Sequence, residues 1–147
     1  MNLDWMEAFS DPYLKTPAGQ GVFLGGVVLG MVAKNQIKNR DEIDSAPLFK
    51  APLFKQMMFG KMQRRDLLRH LSRVPELLRA YDINCKSFYR YQKLIGKVGD
   101  LLYQGSGEMG VDGNFAFSVA FLNATEYFWR IFSKGNVEKN DKGEGGE

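Results

Sequence analysis

One cysteine and one histidine in 147 residues are the first constraint on what this chain can be. A lone thiol closes no internal disulfide, and with a lone imidazole it cannot build a zinc cluster of several thiolates. A disulfide-stapled scaffold is excluded, and the composition fits a reducing compartment. Compositional bias is also missing: 44% apolar and 25% charged residues are ordinary globular values, which excludes a fibrous or wholly disordered chain. Long hydrophobic runs are scarce. The one extended uncharged stretch, 16–33, opens with Thr16, Pro17, Gly19 and Gln20, and its apolar part from Val22 to Ala33 falls short of the ~20 residues a membrane span requires. A buried helix is expected there, with no membrane contact. No basic-then-apolar leader precedes it, since the N-terminus carries Asp4 and Glu7, so the expected location is cytoplasmic.

No segment keeps a period of two, and what is present reads as helix. Thr16 and Pro17 supply a hydroxyl N-cap and a proline at the first helical position, opening a helix that runs to about Lys38. Its interior holds Gly21, Gly25, Gly26 and Gly30. Each glycine costs about 1 kcal/mol against alanine in a helix, which points to close approach of another backbone, within the fold in preference to a subunit interface. The tandem Ala46-Pro-Leu-Phe-Lys50 and Ala51-Pro-Leu-Phe-Lys55 is too short for a solenoid. Pro47 and Pro52 read as turn or helix starts, with Leu48, Phe49, Leu53 and Phe54 packing inward. From Gln63 to Val74, a rotation of ~100° per residue puts Arg65, Arg69 and Arg73 on one face and Leu67, Leu68, Leu71 and Val74 on the other. Pro75 ends this helix and starts another bearing Leu77, Leu78 and Tyr81.

From Lys86 to Tyr103 the arrangement repeats, with Lys86, Arg90, Lys93 and Lys97 opposite Tyr91, Ile95, Val98 and Leu102. A glycine-rich loop over 104–113 leads to a last apolar helix, expected from an N-cap at Asp112 through Phe115, Val119, Leu122 and Trp129 to Phe132. The expected fold is all-α, a compact helical bundle of five or six helices in a single domain over 1–133, followed by a disordered charged tail over 134–147.

Candidate catalytic groups are few. His70 lies at the border of an apolar face, without the orienting partner and nucleophile a general base needs. Cys85 reads as a small buried hydrophobe, and Asp41, Glu42 and Asp44 as a solvated turn in preference to a magnesium site. Gly105-Ser-Gly107-Glu-Met-Gly110 matches the dinucleotide fingerprint, but it follows a basic amphipathic helix where the fingerprint requires a strand. No catalytic residue, metal site or cofactor is therefore expected, and the chain reads as a non-enzyme.

The charge is segregated. Residues 50–97 hold 12 basic and 3 acidic groups, whereas the flanking segments hold 4 against 6 and 4 against 8. Acidic partners at i+4, which a salt-bridged surface helix would carry, are mostly missing. The two ridges, Arg65, Arg69 and Arg73 with Lys86, Arg90, Lys93 and Lys97, are the candidate nucleic-acid-binding residues. Tyr89, beside the second ridge, is placed to stack on an unpaired base.

The order of the glycine-rich helix (Phe23-Leu-Gly-Gly-Val-Val-Leu-Gly30), the Pro-Leu-Phe-Lys segment, Met62-Gln-Arg-Arg-Asp-Leu-Leu, Val74-Pro-Glu-Leu-Leu-Arg-Ala-Tyr81 and the final Phe-rich helix resembles the C-terminal helical region of the large subunit of type I-B CRISPR effector complexes. In that family the region is also made separately, from an internal start codon, as the small subunit of the Cascade complex. The resemblance covers about residues 16–132 and departs from the family pattern in the doubled Ala-Pro-Leu-Phe-Lys and in Phe117-Ser-Val-Ala-Phe121-Leu. It implies a non-catalytic subunit in antiviral defence. Its partners would be the large subunit, the backbone subunits, further copies of itself, the target or displaced DNA strand and, indirectly, crRNA. Such a subunit braces the R-loop through DNA phosphates while the guide reads sequence. A stand-alone helical nucleic-acid-binding protein and a purely structural adaptor are the alternatives.

Overall fold

The computed structural model describes residues 1–37, 47, 52–80, 85–105 and 108–132, and no strand occurs among them. The expected all-α bundle is what forms. Its α-helices are α1 (Pro17–Ile37), α2 (Pro52–Met58), α3 (Arg64–Ser72), α4 (Val74–Ala80), α5 (Cys85–Gln104), α6 (Gly110–Leu122) and α7 (Ala124–Ile131), preceded by two short 3-10 turns at Asp4–Ala8 and Pro12–Lys15.

The central element is α1, whose buried residues lie on every side of it. A helix that is apolar all round belongs inside a fold. Although α1 is long and apolar enough to cross a membrane, 78% of its most apolar window is buried by the rest of the chain. Its start is the expected one: the Thr16 hydroxyl accepts from the Gly19 amide at 3.0 Å, ahead of Pro17.

The glycines of α1 set the distances at which its neighbours pack. At ~100° per residue, Gly21 and Gly25 share one side while Gly26 and Gly30 share another, roughly 140–180° round. A Cβ on Gly21 would come within 2.9 Å of Leu102 of α5, and one on Gly25 within 3.1 Å of Leu67 of α3. On the other side, a Cβ on Gly26 would lie 2.8 Å from the Phe117 carbonyl of α6, and one on Gly30 would meet the Phe121 carbonyl. At the far end of α1, Asn35 Nδ2 donates to the Tyr91 hydroxyl of α5 at 2.9 Å, and burial pushes that phenol up to about 12 despite the Asn35 bond. The Tyr91 ring in turn meets Phe128 of α7 at 5.3 Å. α5, α3 and α6 thus each pack on α1, and the Tyr91–Phe128 contact joins α5 to α7.

The helix expected from Asp112 to Phe132 differs in three ways. It begins at Gly110, with Met109 in the N-cap position and Gly110 at φ 58°. It breaks at Asn123, whose side chain donates to its own Val119 carbonyl. Phe115, Leu122 and Trp129 face solvent. The reason is steric: contact with Gly26 and Gly30 selects the narrow side of α6, so Gly113, Ala116 and Ala120 turn inward together with Phe117 and Phe121, and Phe115 is left outside. Leu68, expected among the inward leucines of α3, is 41% exposed because Leu67 alone fills the space over Gly25.

The 3-10 turns, for which the sequence offers no periodic signal, close one end of the bundle. Trp5 stacks on Tyr127 at 5.5 Å and meets Phe9 and Phe23 edge-on, and the Asn2 amide donates to the Ile131 carbonyl at 2.8 Å. Of the tandem repeat, Pro52 opens α2 and Leu53 is buried, whereas 48–51 lies outside the described residues, as do 38–46 and 133–147. The expected acidic turn and charged tail fall in those segments.

The two glycine sides predict opposite mutational outcomes. Gly30→Ala meets a backbone carbonyl that cannot step aside and is expected to lower stability by about 1–3 kcal/mol. Gly25→Ala meets only the tip of Leu67 and recovers up to about 1 kcal/mol of helix propensity, so its stability is expected to stay near that of the parent. Chemical denaturation of both variants checks this, and equal losses would contradict it.

Candidate nucleic-acid interface

The α3 ridge is built by a capping box. Gln63 and Asp66 satisfy each other's backbone amides, with Gln63 N donating to Asp66 Oδ2 at 2.9 Å. The same Asp66 lies 3.9 Å from Arg65 and 3.8 Å from Arg69 through Oδ1. Both arginines are exposed, so these long contacts contribute little. Arg73 ends the helix and is also exposed. The acidic partner sits one residue after Arg65 and three before Arg69, at i+4 of neither, and it offsets one of three positive charges.

Arg64 faces another way. Its guanidinium donates to the Leu102 carbonyl at the end of α5, satisfying one of the orphan acceptors of a helix C-terminus. That bond fixes the start of α3 against α5, and Asn114 fixes it against α6. Asn114 is buried; it accepts from Met62 N at 2.9 Å and donates to the Met62 carbonyl at 3.0 Å and to Gly110 O at 2.8 Å. The segment leading into α3 is thus held from two sides. Beside it an open groove is lined by Gln63, Arg64, Arg65, Leu68 and Glu108.

On α5 the ridge lies toward α7. Arg90 is half-buried, its guanidinium carbon 5.2 Å from the Trp129 ring centroid and 5.8 Å from that of Phe132. Lys93 is exposed and stands 5.3 Å over the Tyr89 ring, and Lys97 is half-buried one turn further. The Lys86 side chain lies outside the described residues. The partnership of Arg90 with Trp129 and Phe132 joins residues about forty positions apart, and no local pattern in the sequence signals it.

His70 bonds Gln56 Oε1 at 2.9 Å. Its pKa is lowered, chiefly by burial, with Asp66 opposing and Arg69 and Arg73 adding to the shift. A depressed histidine favours the neutral ring in the folded state, so it contributes stability above about pH 6.5 that is lost as pH falls. The Cys85 side chain lies outside the described residues. In the glycine-rich loop, a Cβ on Gly105 would come within 2.6 Å of Ala18, so that glycine serves the approach of the loop to α1. Among the described residues no three His, Cys, Asp or Glu side chains form a group that could hold a metal.

Asn114 supplies the most direct test of how the α3 ridge is positioned. Asn114→Leu leaves the Met62 amide and carbonyl without partners, at about 1–3 kcal/mol for each group left buried. Denaturation is expected to show the loss, and hydrogen exchange is expected to show a deprotected Met62 amide. An unchanged Met62 exchange rate would contradict the assignment.

Comparison with known proteins gives one family. The CRISPR-associated protein TM1802 (cas_TM1802) C-terminal domain matches residues 2–134, which spans all the described helices. No curated protein and no solved structure matches the chain. A match over this share of the sequence, on an all-α bundle, places the chain in the family of TM1802 C-terminal domains, and so in CRISPR defence.

Proposed function

We propose that this chain is the non-catalytic small subunit of a crRNA-guided type I-B Cascade complex and that it braces the R-loop through DNA backbone contacts. The observation that carries the reading is the outward presentation of Arg65, Arg69, Arg73 and Lys93, against which the two helices set the carboxylates of Asp66, beside the α3 arginines, and Asp100. Membership in a CRISPR-associated family makes other Cas proteins its partners. In this reading they are the large subunit, the backbone subunits and further copies of itself in the cytoplasm. DNA on the target or displaced strand meets the ridges, while base pairing to crRNA supplies sequence specificity.

One feature favours the adaptor as second reading. Val111, Phe115 and Leu122 make an exposed apolar stripe on the outer side of α6, which suits a protein neighbour and involves no nucleic acid. The two readings part on salt dependence. Each neutralised phosphate of a single strand contributes a slope of about −0.7 to log K against log salt, so four engaged cations give roughly −3.

Charge reversal of Arg69 with Lys93, which leaves the half-buried Arg90 in place, is expected to weaken R-loop formation by the assembled complex on all targets alike. The salt slope should flatten, while guide loading and helix content stay unchanged. Wild-type affinity and slope in a normally assembled variant would leave the ridges as solvated faces and favour the adaptor.

A further inference from the structure

The two basic faces differ in one respect that bears on their ligand. On α3 the arginines flank Leu68 and no exposed aromatic ring. Along the outer side of α5, two exposed rings each carry a cation from that helix. Tyr89 is 59% exposed under Lys93 Nζ, and Trp129 is 46% exposed under Arg90. Arg90 and Lys93 stand three apart on α5, neighbours on the helix surface, so the two ring and cation pairs lie within one turn of each other. The indole is held from two directions, because Phe128 meets it at 5.1 Å and 89° while Arg90 stands over its ring at 5.2 Å. It is a fixed platform and not a loose surface side chain.

We propose that this face binds unpaired nucleobases, so that its ligand is single-stranded nucleic acid: Tyr89 and Trp129 stack on bases, and Lys93 and Arg90 take the adjoining phosphates. The inference rests on the reading of the ridges as phosphate-binding and adds the class of strand. A duplex hides the faces of its bases in its own stack and offers only edges and phosphates, for which an aromatic ring on a helix surface has no use. A single strand offers open π-faces, and cations beside aromatic rings match its alternation of base and phosphate. The α3 ridge, with cations alone, takes phosphates of either form.

The test titrates the full chain at low salt with oligothymidylate, with an oligomer of the same length made of abasic sites, and with duplex DNA, reading intrinsic tryptophan fluorescence and affinity. Oligothymidylate is expected to quench Trp129 emission and to bind about 5- to 150-fold more tightly than the abasic oligomer for each base stacked. Tyr89→Ala and Trp129→Ala are each expected to remove about 5-fold or more of that advantage, with abasic and duplex binding and the salt slope unchanged. Tyr89 is 59% exposed and meets Lys93 among the described residues, so its variant keeps the test valid where removal of Trp129 perturbs the fold. Equal affinity for the two oligomers, or an advantage that survives both substitutions, overturns the stacking site and leaves the phosphate reading standing. Absence of binding to all three probes removes both.

Discussion

Everything outside α1 is arranged by how closely it can approach α1. Two glycines on one side admit Leu102 and Leu67, and two on the other admit the backbone of α6 and Ala124 of α7, so four helices reach one central helix without side chains of α1 holding them off. Four interior glycines weaken the isolated helix by about 4 kcal/mol relative to alanine. The fold recovers that through burial of α1 on every side. The spacing also explains choices elsewhere in the chain, since Ala120 and Ala124 present small side chains to Gly26 and Gly30 of the same helix.

The basic faces follow from that arrangement. Once Leu67 is fixed over Gly25 and Leu102 over Gly21, the helical repeat turns Arg65 and Arg69 of α3 and Lys93 of α5 outward. Arg64 and Asn114 are polar residues used structurally, one closing the end of α5 and the other holding the entry to α3. The helix pair therefore offers its charges from a braced frame, which favours phosphate contact because little side-chain or backbone order has to be gained on binding.

Much of this was legible in the sequence, for reasons that can be named. Thr16–Pro17 marked the start of α1, its glycine spacing announced close packing, Val74–Pro75 divided α3 from α4, and the cation spacing gave both ridges. The orientation of the last helix was not legible, because hydropathy cannot orient a helix that is apolar on both sides. Phe115, Leu122 and Trp129 look like core by composition, and only the small residues opposite them reveal which side meets Gly26 and Gly30. The N-terminal turns escaped because a cluster such as Trp5, Phe9, Phe23 and Tyr127 is assembled by the tertiary fold, without a period. The pairing of Arg90 with Trp129 escaped for the same reason.

The central claim is that the outer faces of α3 and α5 meet DNA within a larger assembly. The most direct measurement is an electron cryo-microscopy structure of the effector complex opened on target DNA, with this chain in place. The account predicts phosphate oxygens at hydrogen-bond distance from the guanidinium groups of Arg65 and Arg69 and from the ammonium of Lys93, with sequence read elsewhere by the guide. A complex in which these side chains face solvent or protein while DNA runs along another surface of the bundle would contradict it.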